Sequence, residues 1–177
     1  MFIGFALALD AFGVSLGLGC GNKLVLKQKT AIIFSFGFFQ FFLAWLGAEI
    51  GFFVSNNFFK ISNQFSGTII LFIGLFLLKE GYEKEESCTY VSFSLLTYII
   101  MGVSVSIDAL GVGFSLLFKF SEIKIFLNSL VVGLITSLLT MISFILVHYI
   151  KSFKTVEKYA DYIGGIILVI FGLNMII

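Results

Sequence analysis

Two short stretches put an aspartate where a lipid bilayer would make it costly. Residues 10–18 read DAFGVSLGL and residues 108–116 read DALGVGFSL, with Asp, Ala, Gly, Val and Leu shared at matching positions. Each lies inside an apolar run long enough to cross a membrane. A carboxylate in hydrocarbon costs several kcal/mol or gives up its charge, so a chain that carries one twice in the same setting is expected to use it. The ordinary alternative is a polar contact between packed helices. At about 100° per residue, Asp10 shares a helix face with Gly13, Gly17 and Gly21, and Asp108 shares one with Ser104, Gly111 and Ser115. Small faces pack against other helices, so both carboxylates are expected to point into the bundle and toward each other.

Two carboxylates that converge in a low-dielectric interior repel unless they share protons or hold a cation. A hard divalent ion such as Mg²⁺, Ca²⁺ or Mn²⁺ resolves that conflict with carboxylate, amide, carbonyl and water oxygens, whereas zinc and copper sites recruit imidazole or thiolate. The single histidine, His148, falls near a helix end, and Cys20 and Cys88 share no metal-ligand spacing. The donor set is therefore oxygen. Gln40 lies three residues after Gly37, and Thr136 three after Gly133, at equivalent places in two apolar runs. Gln40 reads equally as a ligand and as an interhelical hydrogen-bonding group; for Thr136 the interhelical bond is favoured. Ser106 and Ser104 are weaker candidates of the same kind. Glu49, Asn128, Asn174 and Asp161 read as interfacial groups. The candidate metal ligands are thus Asp10, Asp108, Gln40, Thr136 and Ser106, with no catalytic residue and no resident cofactor.

The elements that must position these residues follow from composition. The chain of 177 residues is 59% apolar and 12% charged, with no proline, 24 phenylalanines and 18 glycines, and its mean hydropathy is +1.11. Soluble domains are about 45–50% apolar and about 25% charged, so this is an integral membrane protein, with the lipid bilayer as its solvent. A net charge of +1 gives no field for nucleic acid. A membrane span needs roughly 20 apolar residues, and polar interruptions predict six helices, near 2–21, 31–54, 58–78, 91–118, 123–150 and 160–177. The apolar runs do not alternate as barrel strands would. The first run lacks the charged start and cleavage site of a signal peptide and is read as a mature helix.

An internal repeat extends past the aspartate motif. At one offset of 98 residues, Gly4 matches Gly102, Gly67 matches Gly165 and Gly74 matches Gly172, while GTIILFIGL at 67–75 echoes GIILVIFGL at 165–173. The fold class expected is an all-α membrane protein built from two three-helix repeats, 1–78 and 91–177. The polar linker 79–90 joins them, and its glutamates Glu80, Glu83, Glu85 and Glu86 read as a solvated connection. Three helices per unit force the second copy to enter from the opposite face, an inverted-topology repeat of the kind that places transporter sites near the midplane. Lysines assign the sides. Lys23, Lys27, Lys29, Lys79, Lys84, Lys151, Lys154 and Lys158 flank the first, third and fifth loops, against Lys60, Lys119 and Lys124 at the second and fourth. The richer side stays in the cytoplasm, which puts both termini outside it.

ALDAFGVSLGLG early and SIDALGVGFSL in the second half, together with the G-x-x-Q element at Gly37–Gln40, resemble the motifs of the bacterial manganese efflux pump (MntP) family, across essentially the whole chain. The resemblance implies export of Mn²⁺ across the cytoplasmic membrane, with Asp10 and Asp108 needed for transport. The chain is also similar to a sporulation-associated branch of that superfamily, which would carry another ion or none. Ligands must lose protons to bind metal, so proton antiport is a natural coupling, and no nucleotide-binding loop is present. Two further readings compete. An intramembrane aspartyl protease also pairs two aspartates, but this chain has ALD and SID where that chemistry uses a GxGD element. A scaffolding protein would tolerate loss of both acids. Homo-oligomerisation is left open.

Overall fold

The computed structural model describes residues 2–21, 24–57, 63–83, 94–147 and 153–176. The described elements are helical: α1 (Phe2–Gly21), α2 (Leu26–Asn57), α3 (Asn63–Glu83), α4 (Leu95–Val105), α5 (Ile107–Leu116), α6 (Glu122–Leu146) and α7 (Phe153–Ile176), with one 3-10 turn at Leu117–Lys119. Three spans are long and apolar enough to cross a membrane: Leu26–Asn57, Leu95–Lys119 and Glu122–Leu146. Three shorter apolar helices accompany them, Gly4–Gly19, Gln64–Phe76 and Tyr162–Ile176. Helices dominate because a backbone in hydrocarbon must satisfy its own N–H and C=O groups, and an α-helix does so within one segment.

Several boundaries differ from the sequence reading: α2 begins at Leu26 where a start near 31 is expected, and α7 at Phe153 where one near 160 is expected. The third helix runs on to Glu83, so the first residues of the expected linker 79–90 are helical; residues 84–90 lie outside the described residues, as does His148. The fourth expected helix, 91–118, is divided. α4 starts with a capping box, in which the Ser94 hydroxyl accepts from the Thr97 N–H and the Thr97 hydroxyl accepts from the Ser94 N–H. It stops at Ser106, whose ψ of 7° leaves the helical region. The Ser106 N–H turns to the Val103 carbonyl at 3.1 Å, in place of the carbonyl four residues back, and α5 then begins. The buried positions Gly102, Val105, Ser106, Ala109, Val112 and Gly113 keep one helical face across the break. Ser104, expected on the Asp108 face, is exposed, while Ser115 beyond the break is buried.

Without a hydrophobic drive between helices in lipid, close packing holds the bundle, and glycine is what lets backbones approach. α3 and α7 run antiparallel: a Cβ on Gly67 would lie 2.9 Å from the Gly172 carbonyl oxygen, and one on Gly74 would lie 3.0 Å from that of Gly165. α2 and α6 cross antiparallel where Gly37 meets Gly133, with the rings of Phe41 and Phe126 edge to face at 5.5 Å nearby. α1 runs parallel to α6, with Gly4 against Val132 and Gly19 against Val147, and the hydroxyls of Ser15 and Ser143 meet between them at 2.5 Å. α2 runs parallel to α5, where Gly113 fits against the Ala44 carbonyl and Gly51 against that of Phe114. The Ser35 hydroxyl donates to the Tyr98 carbonyl at 2.5 Å and ties α2 to α4. Phe34 and Phe38 face outward and stack with the half-buried Phe42 one turn apart along α2, and Phe34 is 73% exposed.

A side chain on Gly74 would meet main-chain atoms of α7, the Val169 nitrogen at 2.8 Å and the Gly165 oxygen at 3.0 Å, which cannot swing aside. Gly74→Leu is expected to destabilise the protein by about 1–3 kcal/mol, the usual cost of overpacking. It would be seen as a lower thermal midpoint of the detergent-solubilised protein, whereas Leu75→Ala on the exposed side of α3 should change that midpoint little.

Candidate metal site

The buried apolar side chains fall into two clusters. One contains Ala6 and Leu7 of α1, Ala44 of α2, Ala109 and Val112 of α5, and Val132 of α6, joined by Ile70 and Leu168. The other contains Ala11 and Leu18 of α1, Ile32 and Phe36 of α2, Val105 of α4, and Phe144 of α6. On each of four chain segments the polar residues singled out from the sequence sit between members of the two clusters. Asp10 lies between Leu7 and Ala11, Gln40 between Phe36 and Ala44, and Ser106 and Asp108 between Val105 and Ala109; Thr136 lies between Val132 and Phe144. On each of these four segments the candidates thus fall where one apolar cluster gives way to the other, a polar seam along the chain.

Their surroundings are not alike. Gln40 is fully buried, and neither its amide nitrogen nor its carbonyl oxygen has a hydrogen-bond partner among the described residues. Ser106, at the helix break, is fully buried with its hydroxyl equally unpartnered. Thr136 is buried but donates to the Val132 carbonyl one turn back at 3.0 Å, so its hydroxyl proton is used within α6. Asp108 is half-buried in the first turn of α5, where one carboxylate oxygen accepts the Ala109 N–H at 2.7 Å; free backbone N–H groups at a helix start favour a negative charge. Asp10 is half-buried in mid-helix, flanked by the fully buried Ala8 and Ala11. The main neighbours of α1 are α6 and α7 and those of α5 are α2 and α3; α1 touches α4, the helix before the Asp108 segment, along a narrow contact.

Among the described residues no three His, Cys, Asp or Glu side chains gather as a ready-made metal cage. The donors at the seam are therefore two carboxylates with neutral amide and hydroxyl oxygens, a set that suits a hard cation keeping some of its water. A cavity of about 470 Å³ adjoins the seam; Leu7, Ala44, Val112 and Val132 line it, as do the exposed Lys119 and Asn128. Each of those four apolar residues lies three or four positions from Asp10, Gln40, Asp108 or Thr136. Thr140 was not singled out in the sequence. It is fully buried with an unpartnered hydroxyl, and only its spacing of four from Thr136 hinted at it. Glu49 is half-buried at the far part of α2 and Asn128 is exposed, away from the seam.

Residues 23–176 match the family model described as "Putative manganese efflux pump". This chain belongs to that family. A protein of Clostridium novyi (strain NT) is 43% identical over 175 residues, covering 98% of this chain and 94% of the relative, and is named "Putative manganese efflux pump MntP". One from Clostridium tetani carries the same name at 42% identity with the same coverage. A more distant relative, from Actinobacillus succinogenes, is 30% identical over 99% of this chain and 92% of its own length. The family is one of pumps and not of enzymes, which removes the protease reading. No solved structure matches the chain.

An unpartnered buried amide is a standing cost to the fold of about 1–3 kcal/mol. Gln40→Leu is therefore expected to raise the thermal midpoint of the purified protein by a few degrees while lowering its affinity for Mn²⁺. A Gln40→Leu protein that is less stable and binds metal as before would mark Gln40 as a purely structural group.

Proposed function

We propose that this protein is a secondary transporter that exports Mn²⁺ from the bacterial cytoplasm across the inner membrane, with the ion held at the polar seam by Asp10, Asp108, Gln40 and Ser106. Thr136 lies at the edge of that set. The observation that supports the reading is an amide and a hydroxyl, of Gln40 and Ser106, fully buried with no protein partner, on segments that pass between the same two apolar clusters as those of the motif aspartates. Fully buried polar groups without partners are rare in native proteins, and a cargo ion with its remaining waters would satisfy them. Manganese is the ion named in the descriptions of the relatives, and oxygen donors suit it.

The architecture proposed is six membrane helices in two inverted repeats, 1–78 and 91–177, with α4 and α5 forming one broken span. The glycine contacts support it. Under the offset of 98 residues, the contact of Gly67 with Gly172 becomes that of Gly165 with Gly74, so the α3–α7 pair maps onto itself. A pair of segments related by a twofold axis in the membrane plane behaves in this way. The lysine-rich first, third and fifth loops then lie in the cytoplasm with both termini outside it. In alternating access, metal enters the seam from the cytoplasmic side with one apolar layer parted. It leaves outward when that layer closes and the other opens. Entering protons compete for the same carboxylates, so metal is released more readily as pH falls on the receiving side, and proton antiport supplies the drive.

The test is Mn²⁺ flux in proteoliposomes with an imposed proton gradient. Wild type should move Mn²⁺ against its gradient, Asp10→Asn and Asp108→Asn should each reduce the rate at least about tenfold, as expected for loss of a charged ligand, and binding should weaken as pH is lowered. Flux that survives both replacements together would refute the proposal.

A further inference from the structure

The buried face of α6 carries hydroxyls at Ser129, Thr136, Thr140 and Ser143, with Gly133 among them, at alternating spacings of seven, four and three that keep them on one side of the helix. All four side chains are fully buried, and the helices packed on α6 are α1 and α2. Their hydroxyls are used differently. Ser143 meets Ser15 across the α1–α6 contact, and Thr136 donates to the Val132 carbonyl of its own helix. Thr140 could make the same bond to the carbonyl of Thr136, as threonines in apolar helices ordinarily do, yet its oxygen has no partner. Ser129 is also unpartnered, but it lies eleven residues from Thr140, about 16 Å along the helix, one turn from the buried Ile125.

The depth of Thr140 follows from the register of α1 on α6. The Ser15–Ser143 bond joins residues 128 apart, and the contacts of Gly4 with Val132 and of Gly19 with Val147 share that offset. The same register sets Asp10 level with Leu138, midway between Thr136 and Thr140. Thr140 also stands between Val132 of one apolar cluster and Phe144 of the other. We infer that the Thr140 hydroxyl is a neutral oxygen donor to the cation at the seam, and that it, more than Thr136, is the residue through which α6 recognises a hard divalent ion. The inference rests on the proposed transport of Mn²⁺. It also gives the site a handedness, because the residue four after Gln40 on α2 is Ala44, which offers no oxygen, whereas the residue four after Thr136 is Thr140.

Mn²⁺ binding to the purified full-length protein, followed by the loss of the free-ion electron paramagnetic resonance signal, tests this. Thr140→Val keeps the shape and removes the oxygen. It should weaken binding about tenfold or more, as losing a group in a metal's coordination environment does, and Thr140→Ala should do the same. Thr140→Ser should stay within about threefold of wild type, and Ser129→Ala, equally buried but outside the seam, within about twofold. Size-exclusion profiles of all four variants confirm folding. Wild-type binding with an equally tight Thr140→Val overturns this inference alone, as does a Thr140→Ser protein as weak as Thr140→Val. A wild type that takes up no Mn²⁺ overturns the proposed function and this inference with it.

Discussion

A polar atom in the dry interior of a membrane protein must have a partner, and at several buried positions of this bundle the protein does not supply one. Gln40, Ser106 and Thr140 are fully buried without hydrogen bonds, as are Ser66 and Ser129 elsewhere in the bundle, whereas the buried hydroxyls of Ser15, Ser143 and Thr136 are bonded. Each such group costs about 1–3 kcal/mol, a large fraction of ordinary fold stability. Three of these five residues lie where one cluster of well-packed apolar side chains gives way to the other, the layer proposed as the cargo site. Close glycine contacts at Gly37–Gly133 and along α3–α7 bring the backbones of the bundle together. Packing positions the layer, and the layer's unmet hydrogen bonding is what a cargo ion would satisfy.

The asymmetry within this frame has mechanical meaning. The two aspartate motifs are near copies in sequence, but Asp10 lies within an unbroken α1, whereas Asp108 follows an interruption at Ser106. The second copy thereby gains a helix start beside its carboxylate, with the Ala109 N–H bonded to one oxygen. Discontinuous helices are a recurrent way for membrane transporters to bring main-chain dipoles to a cargo at the midplane. α1 offers no equivalent, so the two halves present different groups to the seam.

Much of this was legible in the residues. Asp10, Asp108 and Gln40 announce themselves because their types are costly in apolar runs, and the glycines at an offset of 98 turned out to be points of backbone contact, Gly67 with Gly172 and Gly74 with Gly165. The break at Ser106 was not legible, because no proline or glycine marks it and SVSID continues the apolar pattern of a helix. Ser104 is exposed because the buried face runs through Gly102, Val105, Ser106 and Ala109, and Ser104 lies outside it. Thr140 was missed for another reason: a threonine in an apolar helix normally bonds its own backbone, and only the structure distinguishes Thr136, which does, from Thr140, which does not. The helical start of the linker, to Glu83, shows that charge alone does not end a helix once its apolar face is packed.

The most direct measurement is the position of bound manganese, found by anomalous scattering from crystals of the protein grown with Mn²⁺. The account predicts one ordered peak in the seam, between the layer containing Leu7 and Val112 and the layer containing Phe36 and Val105, within coordination distance of oxygens of Asp10 and Asp108. Manganese found only at the surface, with the seam closed and dry, would contradict it.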